Sequence, residues 1–202
     1  MSSVEDAVAA LEAGEPVIIP TDTVYGLACD PENKDAVRRL SDLKGRPTEQ
    51  PIALVAASVD VLVELAPELR GSSEAVARAL LPGGYTLVLP NPARRFPWLT
   101  GNRPETIGVR VPDLHGPGHA VLERVGAVTA TSANLHGGAD PRRLADVPPQ
   151  LRDVVAALVD GGELPGMPST VLDLTGPEPR VARAGAVPAE VALARVAAAL
   201  GE

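Results

Sequence analysis

Val17-Ile18-Ile19-Pro20-Thr21-Asp22-Thr23-Val24-Tyr25-Gly26-Leu27 carries an apolar strand straight into two hydroxyls, a carboxylate and a glycine. Lys44-Gly45-Arg46-Pro47 follows about twenty residues later. Residues 1–33 contain no basic side chain, whereas Lys34 to Arg46 holds five basic and two acidic residues. A strand that ends in hydrogen-bonding groups and faces a cationic loop suits a small polar molecule beside an anion. Outward from this stretch, strand-like and helix-like segments alternate. Val4, Val8 and Leu11 recur at helical spacing after Ser3, and Asn33 is placed to cap a helix over Ala36, Val37, Leu40 and Leu43. Strands are expected at 16–20, 51–56, 85–89, 106–111, 127–131, 170–174 and 180–183. Helices are expected at 59–65 (begun by Ser58), 74–81, 120–125, 151–158 and 188–200. The alternation predicts an α/β fold with a twisted, mixed parallel and antiparallel sheet flanked by helices. The irregular stretch Asn91 to Glu105 is expected to be a mobile flap over the site.

Composition narrows the function class. At 202 residues the chain suits one domain, 1–202, with a substantial core. Only Tyr25, Tyr85, Phe96 and Trp98 are aromatic, so that core must be aliphatic. The formal net charge of −8 argues against general affinity for nucleic acid or acidic membranes, while leaving room for a local basic pocket. The single cysteine, Cys29, excludes an internal disulfide framework and a Cys-rich zinc site. The acidic N-terminus has no leader pattern, and no apolar run approaches the ~18 residues of a membrane span. A cytoplasmic protein is expected.

Several chemistries lack their signatures. Lys44 stands outside any Gly-Lys-Ser/Thr run, no Gly-x-Gly-x-x-Gly follows a strand, and no serine has a nucleophile-elbow frame. Gly116-Pro117-Gly118 separates His115 from His119, which argues against a shared metal-binding helix face, so no metal ligand is expected. Five strand-end clusters remain. Thr21 to Gly26 offers hydroxyls, although the same residues suit a strand followed by an ordinary turn. Lys44 and Arg46 pair a point charge with a bidentate fork, as a polyphosphate requires, or simply end a solvated helix. Arg110 shares its strand face with Thr106 and Gly108, and an inward arginine needs an anionic partner, either a ligand carboxylate or an internal Asp. Thr129 to Asn134 is a further strand ending in hydroxyls and an amide. Ser169-Thr170 and Arg183-Ala184-Gly185 complete the set.

Taken in order, Pro20 to Leu27, Lys44 to Pro47, Leu81-Pro82-Gly83-Gly84-Tyr85-Thr86-Leu87, Ile107 to Pro112, Thr131 to Asn134 and Ser169 to Asp173 resemble the YrdC/TsaC family of threonylcarbamoyl-AMP synthases. The likeness runs from about Glu5 to Val187. It implies a sheet around a concave cationic cavity. It also implies condensation of L-threonine, bicarbonate or CO₂ and ATP to threonylcarbamoyl-AMP and diphosphate, toward threonylcarbamoylation of adenosine 37 in tRNA. By resemblance, Thr23, Arg110, Ala130 and Ser169 bind threonine, with Arg110 taking its carboxylate. Lys44, Arg46, Gln50, Thr106, Ser132, Asn134, Asp140 and Arg183 bind ATP, and Lys44 and Arg46 carry catalysis. Mg²⁺ is expected to be bound through the phosphates, with no metal site on the protein itself. Gln50 stands where the family often has Asn. Val55 stands where some members place a histidine, Pro168 where many have an acidic residue, and Ala184 where a proline follows the arginine. The chain has the look of the short form without an added C-terminal domain. A downstream tRNA-modification transferase complex and a weak tRNA contact are the expected partners, with no membrane. Two rival readings are a non-catalytic double-stranded RNA or tRNA module and a carbamoyl-adenylate domain of the hydrogenase-maturation type. The acidity and scarce aromatics weigh against the first, and the single cysteine against the second.

Overall fold

A computed structural model describes residues 1–201, so the last residue of the expected 1–202 domain lies outside it. In chain order the elements are α1 (Val4–Glu12), β1 (Val17–Pro20), β2 (Tyr25–Cys29), α2 (Lys34–Lys44), β3 (Ala53–Ala56), α3 (Val59–Leu65) and α4 (Ser72–Leu80). They continue as β4 (Tyr85–Pro90), β5 (Thr106–Arg110), α5 (Pro117–Val125), β6 (Ala127–Ser132), α6 (Pro149–Arg152), β7 (Ala157–Leu158), β8 (Thr170–Asp173), β9 (Arg180–Arg183) and α7 (Ala189–Leu200). Three helices start where the sequence placed them. Ser3, Asn33 and Ser58 accept from the backbone N–H of Asp6, Ala36 and Val61, each cap worth about 1 kcal/mol.

The nine strands form one sheet in the order β7-β1-β2-β6-β3-β5-β4-β8-β9. Pairs β1/β7, β3/β5 and β4/β8 are parallel and the other five are antiparallel, as the expected mixed sheet requires. One face is packed throughout. Leu27, Leu54, Leu87, Ile107 and Leu172 join α2, α3, α4 and α7 in the larger core. On the other face, α1 and α5 cover only the β7-β1-β2-β6 side, through Ala7, Leu11, Val121 and Leu122 against Val17, Ala28 and Val128. The remainder of that face is left open, and there the site lies.

Three expectations change. The helix expected over 151–158 stops at Arg152, and Ala157–Leu158 becomes β7. The edge of β1 supplies the reason: Ala156 N–H donates to Pro16 O and Val159 N–H to Ile18 O, both at 2.9 Å, so sheet pairing overrides helical spacing. Residues 25–29, left unassigned from sequence, form β2, whose residues are all buried and so show no alternation. The 91–105 loop is not a free flap. Asn91 Nδ2 donates to Arg95 O and Pro104 O, Trp98 Nε1 to Pro31 O, and Ile52 N–H to Leu99 O. Burial pushes the Cys29 thiol up to about 12, which leaves it inert.

Candidate functional site

Small side chains make room on the open face. One register row runs Ala130, Ala53 across β6 and β3, and another runs Gly108, Val88, Asp173, Arg180 across β5, β4, β8 and β9. With alanine and glycine along this floor, the backbone itself is the surface, and a cavity of about 420 Å³ stands above it. That volume is ordinary for a small-molecule site. Thr23, Arg46, Thr106, Arg110, Ala130, Ser132, Ser169 and Arg183 all line it, as does Val55. Five arginines and one carboxylate, Asp173, are among the lining side chains.

At the β6 end, α2 terminates in Lys44 because Gly45 takes the left-handed conformation, φ 65°, that ends a helix at low cost. The lysine is thereby driven under the end of β6. Its ammonium donates to Ser132 O at 2.6 Å, to Ser132 Oγ at 3.3 Å and to Asn134 Oδ1. Lys44 is 4% exposed and stands behind Ser132, not at the cavity surface. Burial, followed by repulsion from Arg46, lowers its pKa to about 8 against a weaker opposing pull from Asp140. Asn134 Nδ2 in turn donates to Gly138 O at 2.6 Å and Asp140 Oδ1 at 3.3 Å, so Asp140 forms the layer behind. Arg46 donates to Thr131 Oγ1 at 3.2 Å and Pro51 O at 2.6 Å, while its buried Nε has no partner. Lys44, Asn134 and Asp140 back the cavity without lining it, and Gln50, in the 47–50 turn beside Pro51, neither lines it nor joins their hydrogen bonds.

On the β1–β2 side, the Thr21 hydroxyl closes its own turn by donating to Val24 O at 2.6 Å and lies 3.0 Å from Thr23 Oγ1. Arg110 reaches from β5 to donate to Thr23 Oγ1 at 2.8 Å and to pair with Asp22. The partner of Arg110 is thus an internal carboxylate, held in place because Asp22 Oδ2 also accepts from Asp113 N–H at 3.1 Å. The guanidinium Nε remains buried without a partner. Burial lowers the Arg110 pKa despite Asp22, and Arg183 adds to the lowering.

The third wall is β8–β9. Ser169 Oγ lies 2.8 Å from Thr86 Oγ1, and Arg183 donates to Ser169 O at 2.8 Å and Oγ at 3.2 Å. Gly185 permits this approach, since a Cβ there would sit 2.3 Å from Pro168 O. The charge of Arg183 lowers the pKa of both Arg46 and Arg110, after burial, so the three guanidiniums converge from three walls. Arg103 and Arg180, which no sequence pattern singled out, complete the walls together with Asp173, while Asp22 stands behind Arg110.

Residues 9–185 match the Sua5/YciO/YrdC family, described as telomere recombination. The chain belongs to that family. Among Sua5/YciO/YrdC relatives, it is 34% identical to the threonylcarbamoyl-AMP synthase of Bacillus subtilis over 190 residues, 93% of this chain and 54% of that protein. It is 34% identical to the threonylcarbamoyl-AMP synthase of Vibrio parahaemolyticus over 80% of this chain and 88% of that one. The crystal structure of P. abyssi Sua5 complexed with L-threonine superposes with a TM-score of 0.86 at 32% identity, over 98% of this chain and 57% of that one.

Proposed function

We propose that this chain is an enzyme, a threonylcarbamoyl-AMP synthase of nucleotidyltransferase type built on a single domain. It condenses L-threonine, bicarbonate or CO₂ and ATP to threonylcarbamoyl-AMP and diphosphate, for N6-threonylcarbamoyladenosine formation at position 37 of tRNA. The observation that carries the reading is the family match along most of the chain, at about one-third identity, to proteins named for that activity. The cavity supports it by joining hydroxyls and convergent cations at one open sheet face. Overall acidity does not favour the RNA-module alternative.

Thr23, Ser169 and Arg110 hold threonine, with the unpartnered side of the Arg110 guanidinium taking its carboxylate. Ala130 keeps the floor low enough for the amino acid. The threonine ammonium loses one proton to solvent, and its free amine attacks CO₂, forming a C–N bond as one C=O π bond opens onto oxygen; the second amine proton passes to solvent and leaves N-carboxythreonine. The new carboxylate oxygen then attacks the α-phosphorus, the bridging P–O bond to the β-phosphate breaks, and diphosphate departs. Lys44, Arg46 and Arg183 offset the charge that grows on the phosphates, with Ser132 and Asn134 fixing Lys44, Asp140 behind them and Thr106 toward the nucleoside. Mg²⁺ bound through phosphate oxygens would share that charge. The donors fit such a mode, since the cavity carboxylate, Asp173, is committed to Arg103, Arg180 and Thr175. Among the described residues no helix is long and apolar enough to cross a membrane. The product, a labile mixed anhydride, calls for direct transfer by a downstream tRNA-modification transferase complex.

Diphosphate release assayed with ATP, threonine, bicarbonate and Mg²⁺, each omitted in turn, tests the reading. Release should require all four, and release that persists without threonine would refute it.

A further inference from the structure

One buried phenol takes no part in the cavity, yet it is tied to a segment that leads into the cavity wall. Tyr25 is fully buried, and its ring packs in the larger core. Its hydroxyl lies 2.8 Å from both Asp160 Oδ1 and Gly162 O, and accepts from Gly161 N–H at 3.0 Å. The single phenol proton goes to one of the two oxygens at a time. Asp160 Oδ1 also accepts from Gly162 N–H at 2.9 Å, so carboxylate and phenol together close the 160–162 turn.

Residues 160–168 run from β7, the neighbour of β1, to β8, and contain neither helix nor strand. They form a strap attached at three places. The first is the Tyr25 hydroxyl. The second is Arg142, whose O accepts from Leu164 N–H at 2.8 Å and whose Nε donates to Leu164 O at 3.3 Å. The third is in the site itself, where Gly166 N–H donates to Thr23 O at 2.8 Å. Thr23 is the residue whose hydroxyl meets Arg110, and two residues past Gly166 the strap enters the cavity wall as Pro168 and Ser169. Asp160 to Glu163 are exposed, so apolar burial does not hold this part of the strap. Gly161 lies against Pro20, since a Cβ there would stand 2.6 Å from the Pro20 Cβ. The phenol and the absence of a side chain at residue 161 together set where the strap lies.

Resting on the synthase reading, we infer that Tyr25 is a positioning residue for the amino-acid substrate: its hydroxyl sets the 160–168 strap, and the strap fixes Thr23 and Ser169 at the threonine end of the cavity. Lys44 and Arg46 bond to residues outside the strap, so the effect falls on one substrate and spares the other.

Tyr25→Phe keeps the ring in the core and removes the hydroxyl contacts to Asp160, Gly161 and Gly162. It should raise the KM for threonine about tenfold, with the KM for ATP and kcat within about twofold of the parent protein. Gly161→Ala leaves the phenol intact but pushes the strap off Pro20, and should raise the threonine KM in the same way. The double variant should be no worse than the worse single one, because both act through the strap. A purely structural role would lower the melting temperature and leave the threonine KM unchanged. That result in both variants would overturn the inference, and so would an equal rise in the ATP KM. Hydrogen exchange at the Gly166 amide reads the strap without turnover, and should be about tenfold faster in Tyr25→Phe than in the parent. An unchanged rate there would overturn the inference whatever the kinetics. Absence of threonine-dependent diphosphate release in the parent protein would instead sink the synthase reading, and the Gly166 amide would still decide whether Tyr25 sets the strap.

Discussion

Two buried cations of the cavity are handled in opposite ways. Arg110, its side chain 11% exposed, is matched by the Asp22 carboxylate, 10% exposed, which is itself fixed by the Asp113 N–H. Lys44, 4% exposed, is held by neutral oxygens of Ser132 and Asn134 and has no carboxylate in contact. A buried charge with its counterion is part of the folded scaffold, whereas one without it is stabilised only by hydrogen bonds. The Lys44 corner therefore holds a standing electrostatic deficit that an arriving anion would relieve. The Arg110 corner is settled before any ligand comes. One half of the cavity is built for structure first, and the other is built for a polyanion at a cost to stability.

The largest effect expected from this contrast is on activity. Lys44→Met should lower threonine-dependent diphosphate release about 10²–10³-fold. It should leave the melting temperature at pH 7 unchanged or raised, because a buried charge without a counterion is removed. A melting temperature that falls as far as that of Asp22→Asn would erase the distinction between the two corners. Asp22→Asn comes next. It should cost about 2–3 kcal/mol in urea unfolding, since Arg110 keeps its charge and loses its counterion. The double variant Asp22→Asn/Arg110→Met should recover most of that stability without recovering turnover. Failure of the second substitution to recover stability would mean that Asp22 acts through the Asp113 N–H and not through Arg110.

The contrast also marks how far the sequence could be read. Lys44 and Arg46 were legible because the turn that ends α2 sets two cations two residues apart, soon after a 33-residue stretch with no basic side chain. Arg110 was legible because period-two alternation put it on the face opposite Ile107 and Val109. Its partner was not, for Asp22 lies 88 residues away and only the β1–β2 turn and the β5 end bring them together. Arg103, Asp173 and Arg180 were hidden for the same reason, one on an irregular loop and two on neighbouring strands. β2 escaped because a fully buried short strand loses the alternation that identifies strands, and β7 because the edge of β1 claims residues with helical spacing. What local periodicity sets was readable. What long-range pairing sets was not.

The pH response is smaller and carries a definite sign. In the free protein Lys44 discharges as pH rises through about 8. The kcat/KM for ATP, at saturating threonine and bicarbonate, should therefore fall above that pH, and Lys44→Arg should move the fall upward. Stability runs the other way. The unfolded chain holds this proton up to the ordinary lysine value of about 10.5, so it binds more protons than the folded state between pH 8 and 10.5. Stability should rise with pH across that window relative to Lys44→Met, in which the dependence is absent. A flat difference between the two proteins over the window would mean that Lys44 is not desolvated in solution.

The smallest effect is the control that gives the others their meaning. Arg39 pairs with Glu15 much as Arg110 pairs with Asp22, arginine to carboxylate, yet their side chains are 47% and 42% exposed. Water already solvates both charges, salt screens them, and two long side chains must be ordered to meet. Arg39→Ala should change stability by less than about 0.5 kcal/mol, and the change should vanish in high salt. The effect of Asp22→Asn should persist in the same salt, because ions do not reach a pair on the cavity wall as they reach one on the surface. If the two variants instead cost the same, burial would not be what separates them. The difference between the Arg110 and Lys44 corners would then have to come from their hydrogen bonds alone.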